Sequence, residues 1–481
     1  MNLIKFFLIA SAMMLTSLQA QDEDAIAPPN KTARAALKLS YRAFKNKMYF
    51  TSASYMKLYL VQDKEVSAAA AKLLDAIIKK TNVFPFLDIS FPVLSAIPYS
   101  QNLPFVLAKK YFFKKDYANA IVYLRRIQPK TFFYLSSLHH LAGLYQMIGD
   151  TEQATLYTDR CLVESSKKAN RKIAIFEQKA QYIYDNCQAL KARLSYKSGK
   201  FDNAKKEFKA VPLNSYSFPQ SLFESSWLYF VKQDYMRAVG KNLTFQSPLM
   251  SDYFIPEAEL VKALSYIEMC YYEDGIGVIR HFDKEIKSKV NDFMQQFNLR
   301  SSEQYPFAKL FTDKSMREKL GDSFFNRLVN VIWSRPGFQT IKYYLQRINN
   351  EKEIIDRAGT EYDRKAFAVA YRGFLEFFND FVKIRFVKQS KNIIKLNNIF
   401  TEIELNVYSS IKYGLYDEKN KNIKKSESEK FYINDIKRDV KQLYWNFHGE
   451  FWADELGSYI PYMESQCGKG NLYEKAIKNF E

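Results

Sequence analysis

The sequence predicts an all-α protein, a solenoid of helical hairpins with additional C-terminal helices, and three observations support this fold class. Residue types recur 34 residues apart, as in the pairs Leu107 and Leu141, Ala108 and Ala142, Tyr111 and Tyr145, and Ala120 and Ala154. Only 15 glycines and 14 prolines occur in 481 residues, which argues against a turn-dense β fold. Aromatic residues make up 16 % of the chain, enough to pack a large interior. A period of this length is typical of arrays in which each unit buries its apolar face against the next.

The N-terminal residues are typical of a secretory signal peptide. MNLIK is a short basic start, FFLIASAMMLTSL is an apolar stretch, and QA followed by QDED is a polar exit with small residues. We predict cleavage after Ala20 and a linker over residues 21–34. Because no cysteine near this position can carry a lipid and no second apolar run has spanning length, we predict a periplasmic protein that is not a lipoprotein. The alternative is an uncleaved N-terminal anchor.

Residues 101–285 form the predicted repeat array. Later copies of the pattern have small or aromatic residues at matching positions: Ala192, Ala204 and Phe208, then Ser226, Tyr229 and Ala238, then Ala263, Tyr266 and Gly275. Polar turn sequences separate the two helices of each copy: KKDYANA, IGDTEQA, SGKFDNA, KQDYMRA and MCYYEDG. Small side chains at the contact positions let two helix backbones approach closely. A 34-residue helix-turn-helix unit of this kind resembles the tetratricopeptide repeat, so the predicted array is tetratricopeptide-like.

This resemblance implies where a partner would bind. In tetratricopeptide proteins the first helix of each unit lines a groove, and the matching positions here are Phe105, Lys109, Phe112, Arg193, Tyr196, Trp227 and Phe230. Aromatic and cationic residues together fit an extended peptide or a helix that carries acidic residues. The alternative is that the same side chains pack against the next helix. We predict protein partners in the cell envelope and no cofactor or metal.

The flanks of the array are also predicted to be helical. Residues 35–100 are Ala-rich and fit one or two degenerate repeats or a cap, and residues 286–440 form a C-terminal helical region. Within that region, the Pro-free stretch Glu351–Val407 predicts an extended helix or a helical hairpin, followed by a charged loop over residues 417–430. Residues 441–481 are an aromatic closing segment. It either folds back over apolar surface or uses Trp445 and Trp452 as partner-binding anchors.

Two short segments carry a narrower resemblance. GEFWADELG, near the C-terminus, and PEAELVKALSYIEMCYYEDGI, Pro256 to Ile276, resemble tetratricopeptide proteins associated with adventurous gliding motility in the bacterial envelope. This resemblance implies a component of an envelope-spanning complex and implies no catalysis. We therefore predict a non-catalytic periplasmic scaffold or adaptor. The alternatives are a peptidoglycan enzyme or its direct helper, with contact to peptidoglycan, and an accessory of outer-membrane assembly or transport.

Other features of the sequence could indicate a different function. Glu224-Ser225 and Glu464-Ser465 are similar to the Glu-Ser pair of lytic transglycosylases, but the segment that should follow is missing. The adjacent pair His139-His140 lacks the i, i+4 spacing that brings two imidazoles to one metal. The formal charge of +19 is spread along an exported chain, so we predict no nucleic-acid partner. For the four cysteines we favour buried thiols, with a Cys161–Cys187 disulfide as the alternative.

Overall fold

The computed structural model describes residues 33–63, 65–169, 174–250, 253–291, 294–295, 305–312 and 336–412, with shorter pieces between 315 and 332 and between 451 and 467. Every regular element in these residues is helical, which confirms the all-α prediction. The chain divides into two compact units. Unit 1 comprises Met1–Ser198, Tyr305–Asp313 and Arg335–Lys383, and unit 2 comprises Gly199–Gln304, Lys314–Ser334 and Ile384–Glu481. The predicted signal peptide, the loop over residues 417–430, Trp445 and Trp452 lie outside the described residues.

The helices of unit 1 form successive hairpins. They are α1 (Ala33–Lys45), α2 (Tyr49–Gln62), α3 (Ala68–Thr81), α4 (Phe91–Ser95), α5 (Leu103–Phe113), α6 (Tyr117–Arg125), α7 (Tyr134–Ile148), α8 (Thr151–Ala169) and α9 (Ala174–Lys197), followed later in the chain by α15 (Pro306–Thr312) and α16 (Pro336–Ala358). Neighbouring helices pack in sequence order, α1 on α2, α5 on α6, α6 on α7, α7 on α8 and α8 on α9. This consecutive packing is the arrangement of a helical-repeat protein.

Unit 2 has the same kind of architecture. Its helices are α10 (Phe201–Lys209), α11 (Phe218–Val231), α12 (Tyr235–Leu243), α13 (Glu257–Glu268) and α14 (Tyr272–Phe282). The helix α17 (Glu361–Lys412) belongs to unit 1 up to Lys383 and to unit 2 from Ile384. In the described residues, no helix combines the length and the apolar character needed to cross a membrane.

A left-handed residue ends the first helix of each hairpin. The backbone angle φ is between 61° and 87° at Lys47, Lys115, Gly149, Gly199, Gln233 and Cys270. The backbone N–H of the next residue closes the helix end by donating to a carbonyl five residues earlier, from Asp116 to Tyr111 and from Asp150 to Tyr145, both over 3.0 Å. The side chains of Asp116, Asp150 and Asp234 then cap the second helix. The repeated turn sequences are therefore one recurring structural motif.

The small residues of the repeats lie in the interior. Ala120, Ala142 and Ala154 are fully enclosed, as are their later equivalents Ala204, Ala238 and Ala263. Gly275 replaces alanine in the last copy because a Cβ there would lie 2.7 Å from the Cγ1 atom of Ile267. The packing thus explains both the small residues and the replacement of alanine by glycine in the last copy.

Buried polar contacts join the N-terminal hairpin of unit 1 to its later helices. Glu351 of α16 accepts hydrogen bonds from the backbone N–H groups of Phe50 and Thr51 at the start of α2, both 2.8 Å, and from the Thr51 hydroxyl at 2.9 Å. Arg42 forms an ion pair of 2.7 Å with Asp363 at the start of α17. The Glu351 carboxylate thereby supplies the acceptors that the first turn of α2 lacks within its own helix.

The cysteine prediction needs correction, since both pairs are disulfides. Cys161 of α8 bonds to Cys187 of α9 within unit 1, and Cys270 bonds to Cys467 within unit 2. The favoured interpretation as buried thiols is wrong, and the alternative Cys161–Cys187 bond is present. Cys270 occupies the left-handed turn position at the end of α13, which directs it toward the C-terminal segment.

Candidate functional site

The candidate site lies on the first helices of the successive hairpins of unit 1, α5, α7 and α9. Phe105 of α5 stacks on Phe133, which directly precedes α7, with ring centroids 4.3 Å apart. The ring of His140 is 5.7 Å from Phe105, so α5 and α7 share an aromatic contact. Helices α7 and α9 also pack against each other. The three helices therefore form a layer that the second helices of the hairpins support.

Lys109 is the central cation of this layer. Its Nζ atom contacts the Nε2 atom of His140 and lies over the rings of Phe105 and Phe112, at 5.6 and 5.7 Å from the ring centroids. Burial lowers the pKa of the Lys109 ammonium to about 8. Desolvation disfavours the charged form of a buried amine. The aromatic rings compensate part of that cost, and the charge is retained at neutral pH.

The two histidines next to Lys109 are neutral at physiological pH. Burial, together with the charges of Lys109 and Arg193, lowers the pKa of His139 to about 4. The pKa of His140 is held well below its ordinary value by burial, by Lys109, by His139 and by Lys179. Three cations thus act on one pair of imidazoles, and the site has a positive potential.

The open space in this layer lies at a glycine. Gly143 of α7 occupies the repeat position equivalent to Lys109 and Arg193 in the flanking hairpins, and a Cβ built on it would meet no atom within 4 Å. Any side chain at position 143 would reduce this opening. The arrangement offers a cationic and aromatic surface with room for a ligand group, and it is suited to an acidic side chain or a carboxylate.

The predicted partner-binding residues have different positions in the structure. Phe105 is buried and packs in the interior, whereas Lys109, Phe112, Arg193 and Tyr196 each retain some surface accessible to solvent. Trp227 and Phe230 lie in unit 2 on α11, with their rings edge to face at 5.7 Å. Trp445 and Trp452 are outside the described residues. The structure therefore groups Phe105, Lys109, Phe112 and Arg193 around the histidine pair.

His139, His140 and Lys179 are site residues that the sequence prediction did not include. The repeat spacing could have identified His139, because it lies 34 residues after Phe105 and so occupies the same repeat position. Lys179 lies over Phe132 at 4.2 Å from the ring centroid, and its position follows from the packing of α9 and not from the repeat. Within the part of the chain that the structure describes, no group of three or more His, Cys, Asp or Glu side chains could hold a metal ion.

The Glu-Ser pairs are not part of this site. Glu224 lies on α11, where its carboxylate accepts a hydrogen bond from Gln220 one turn earlier, at 3.0 Å. Glu464 is exposed, and its backbone carbonyl accepts a hydrogen bond from the Tyr271 hydroxyl. Comparison with known proteins gave no match, either to a protein-family model or to a curated sequence.

Proposed function

We propose that the protein is a non-catalytic scaffold or adaptor of the tetratricopeptide class, which binds an acidic segment of a protein partner at the α5, α7 and α9 layer of unit 1. The observation that carries the proposal is the charge of Lys109, which is kept between two phenylalanine rings and beside neutral histidines. A buried charge of this kind opposes folding unless something compensates it. A carboxylate from a partner would provide that compensation.

The compartment and process are part of the same proposal. The N-terminal sequence supports export to the periplasm, and two disulfides are weakly consistent with an oxidising environment. The segments similar to gliding-associated tetratricopeptide proteins support a role in gliding or a related motility complex of the envelope. An adaptor in such a complex would hold a partner through a groove and would need no catalytic group.

Crosslinking in the native envelope followed by affinity capture tests the proposal. The wild-type protein should capture defined envelope proteins, and Lys109→Glu should reduce their recovery at least tenfold because it replaces the central cation with a repelling charge. Lys197→Glu is the matched control, since Lys197 is an exposed lysine of α9.

Three results would contradict this proposal. Recovery of the same partners with Lys109→Glu would show that the site is not used. Recovery of peptidoglycan fragments alone would favour a cell-wall helper, and recovery of outer-membrane assembly proteins alone would favour a transport accessory.

A further inference from the structure

The described residues of the C-terminal segment, 456–461 and 463–467, contact the hairpins of unit 2. At Gly457, the backbone N–H donates to the Thr244 hydroxyl over 2.9 Å, and the backbone carbonyl accepts from the Nζ atom of Lys241. Both protein groups therefore recognise the main chain of Gly457. Burial, together with the nearby cations Lys209 and Lys205, lowers the pKa of Lys241 to about 8.

Two glycines make this close approach feasible. A Cβ on Gly240 of α12 would lie 1.8 Å from the carbonyl oxygen of Tyr459, so no other residue fits on the helix at this point. Gly457 itself has φ of 82°, and a Cβ there would lie 2.7 Å from the Cδ1 atom of Leu222. Other residues adopt such a φ only with strain. The surface and the segment are complementary at both glycines.

The far end of the segment is held by backbone bonds and by one covalent bond. The N–H of Gln466 donates to the carbonyl of Met269 over 3.0 Å, and the hydroxyl of Tyr271 donates to the carbonyl of Glu464 over 2.7 Å. Cys467 then bonds to Cys270 in the same turn. Nearly all of these polar contacts are hydrogen bonds to backbone groups of the segment. Main-chain hydrogen bonds are also how many proteins bind extended peptides.

We propose that this face of unit 2 is a docking surface for an extended, glycine-containing peptide segment, and that the chain's own residues 456–461 and 463–467 occupy it in cis. The surface consists of Leu222, Gly240, Lys241, Thr244 and the turn of residues 269–271. Glycine inside a helix is less stable than alanine, so the helix α12 itself gives no reason for glycine at position 240. The contact with Tyr459 is the structural reason to keep it. The ligand class is an extended segment recognised through its main chain, at a glycine with positive φ and at the carbonyl of the residue two positions later.

A labelled peptide tests this inference with full-length variants that all carry Cys270→Ser and Cys467→Ser. The probe is a fluorescent peptide of residues 451–467 with serine in place of the cysteine, and the readout is fluorescence anisotropy. Gly457→Val should expel the segment from an unchanged surface, so the probe should bind this variant. The chain that retains Gly457 should bind the probe at least tenfold more weakly, because its own segment competes at an effective concentration of about 1 mM.

Two helix glycines provide the matched controls. Gly240→Ala, added to Gly457→Val, should abolish probe binding, because its Cβ blocks the surface. Gly277→Ala, added in the same way, should leave binding unchanged, because a Cβ on this glycine of α14 meets no atom within 4 Å. Absence of binding to the Gly457→Val chain, or equal binding after Gly240→Ala, would overturn the proposal. Equal binding to the chain that retains Gly457 would overturn the occupancy in cis.

A second measurement keeps the disulfide intact. In the chain with both cysteines, amide hydrogen exchange should show that Gly457 loses its protection after Gly240→Ala and keeps it after Gly277→Ala. Unchanged protection after Gly240→Ala would contradict the inferred contact, even if the cysteine variants fail to fold.

Discussion

Replacement of Lys109 by methionine should stabilise the isolated protein and weaken its partner binding. Methionine keeps the length and apolar character of the side chain and removes the charge. Since the pKa of Lys109 is lowered from 10.5 to about 8 by burial, and one pKa unit corresponds to about 1.4 kcal/mol, the buried charge costs about 3 kcal/mol at neutral pH. The methionine variant also loses the contacts between the ammonium and the two phenylalanine rings, which lowers its free energy of unfolding by about 1–2 kcal/mol. The net stabilisation is therefore about 1–2 kcal/mol.

The pH dependence of this effect has a definite sign. The pKa of Lys109 is lower in the folded chain than in the unfolded chain, so the unfolded chain binds more protons between pH 8 and 10.5. The charge of Lys109 therefore destabilises the folded chain in full below pH 8, and this destabilisation disappears as the pH rises to 10.5. The advantage of Lys109→Met should thus be complete at pH 7 and should vanish near pH 10.5.

Urea unfolding followed by far-ultraviolet circular dichroism measures this difference. Lys197→Met is the control, since it removes an exposed lysine of α9 and should change the free energy of unfolding by less than about 0.5 kcal/mol. A Lys109→Met chain that is less stable than wild type at pH 7 would refute the reasoning. So would a stability gain that persists unchanged at pH 10.5.

Three further predictions concern buried groups of unit 1. Glu351→Ala leaves the Phe50 and Thr51 amides without their acceptor, so the free energy of unfolding should fall by about 2–4 kcal/mol in urea titrations; an unchanged midpoint would contradict the role of Glu351. His139 has a lowered pKa in the folded chain, so its contribution to stability is present above pH 6.5 and is lost as the pH falls to about 4. His139→Gln should reduce the loss of thermal stability between pH 7 and 4.5, and an identical loss would contradict this. Ala142→Leu should cost about 1–3 kcal/mol by overpacking the interior, whereas the same substitution at the exposed Ala118 should cost little; equal melting temperatures of the two variants would contradict the packing.

The hairpin architecture was predictable because its determinants are local. Ala108, Tyr111 and Ala120 recur at a fixed interval, and the period alone places them on contacting helix faces. The same interval also extends to the N-terminal hairpin, where Lys47 has the left-handed conformation two periods before Lys115. This copy was harder to detect because its turn, Lys47-Met48, has neither glycine at the first position nor aspartate at the second, whereas the turns at residues 115, 149, 199 and 233 have at least one of them.

The remaining features depend on contacts between distant parts of the chain. Glu351 accepts hydrogen bonds from residues about 300 positions earlier, and no local pattern encodes that distance. Cys270 and Cys467 are separated by 197 positions, so their spacing gave no reason to pair them. Lys109 was predicted as a site residue from its repeat position. The lowered pKa values around it follow from burial, which requires the packed helices.

Site-specific photocrosslinking tests the central claim most directly, namely that the first-helix layer of unit 1 binds an acidic partner. A photoreactive phenylalanine analogue replaces Phe112 on α5 in one chain and Leu156, an exposed residue of α8, in another. Irradiation of the native envelope should attach a defined partner peptide rich in acidic residues at position 112, and Lys109→Glu should remove that product. Crosslinks at position 156 alone, or a product at position 112 that persists with Lys109→Glu, would contradict the account.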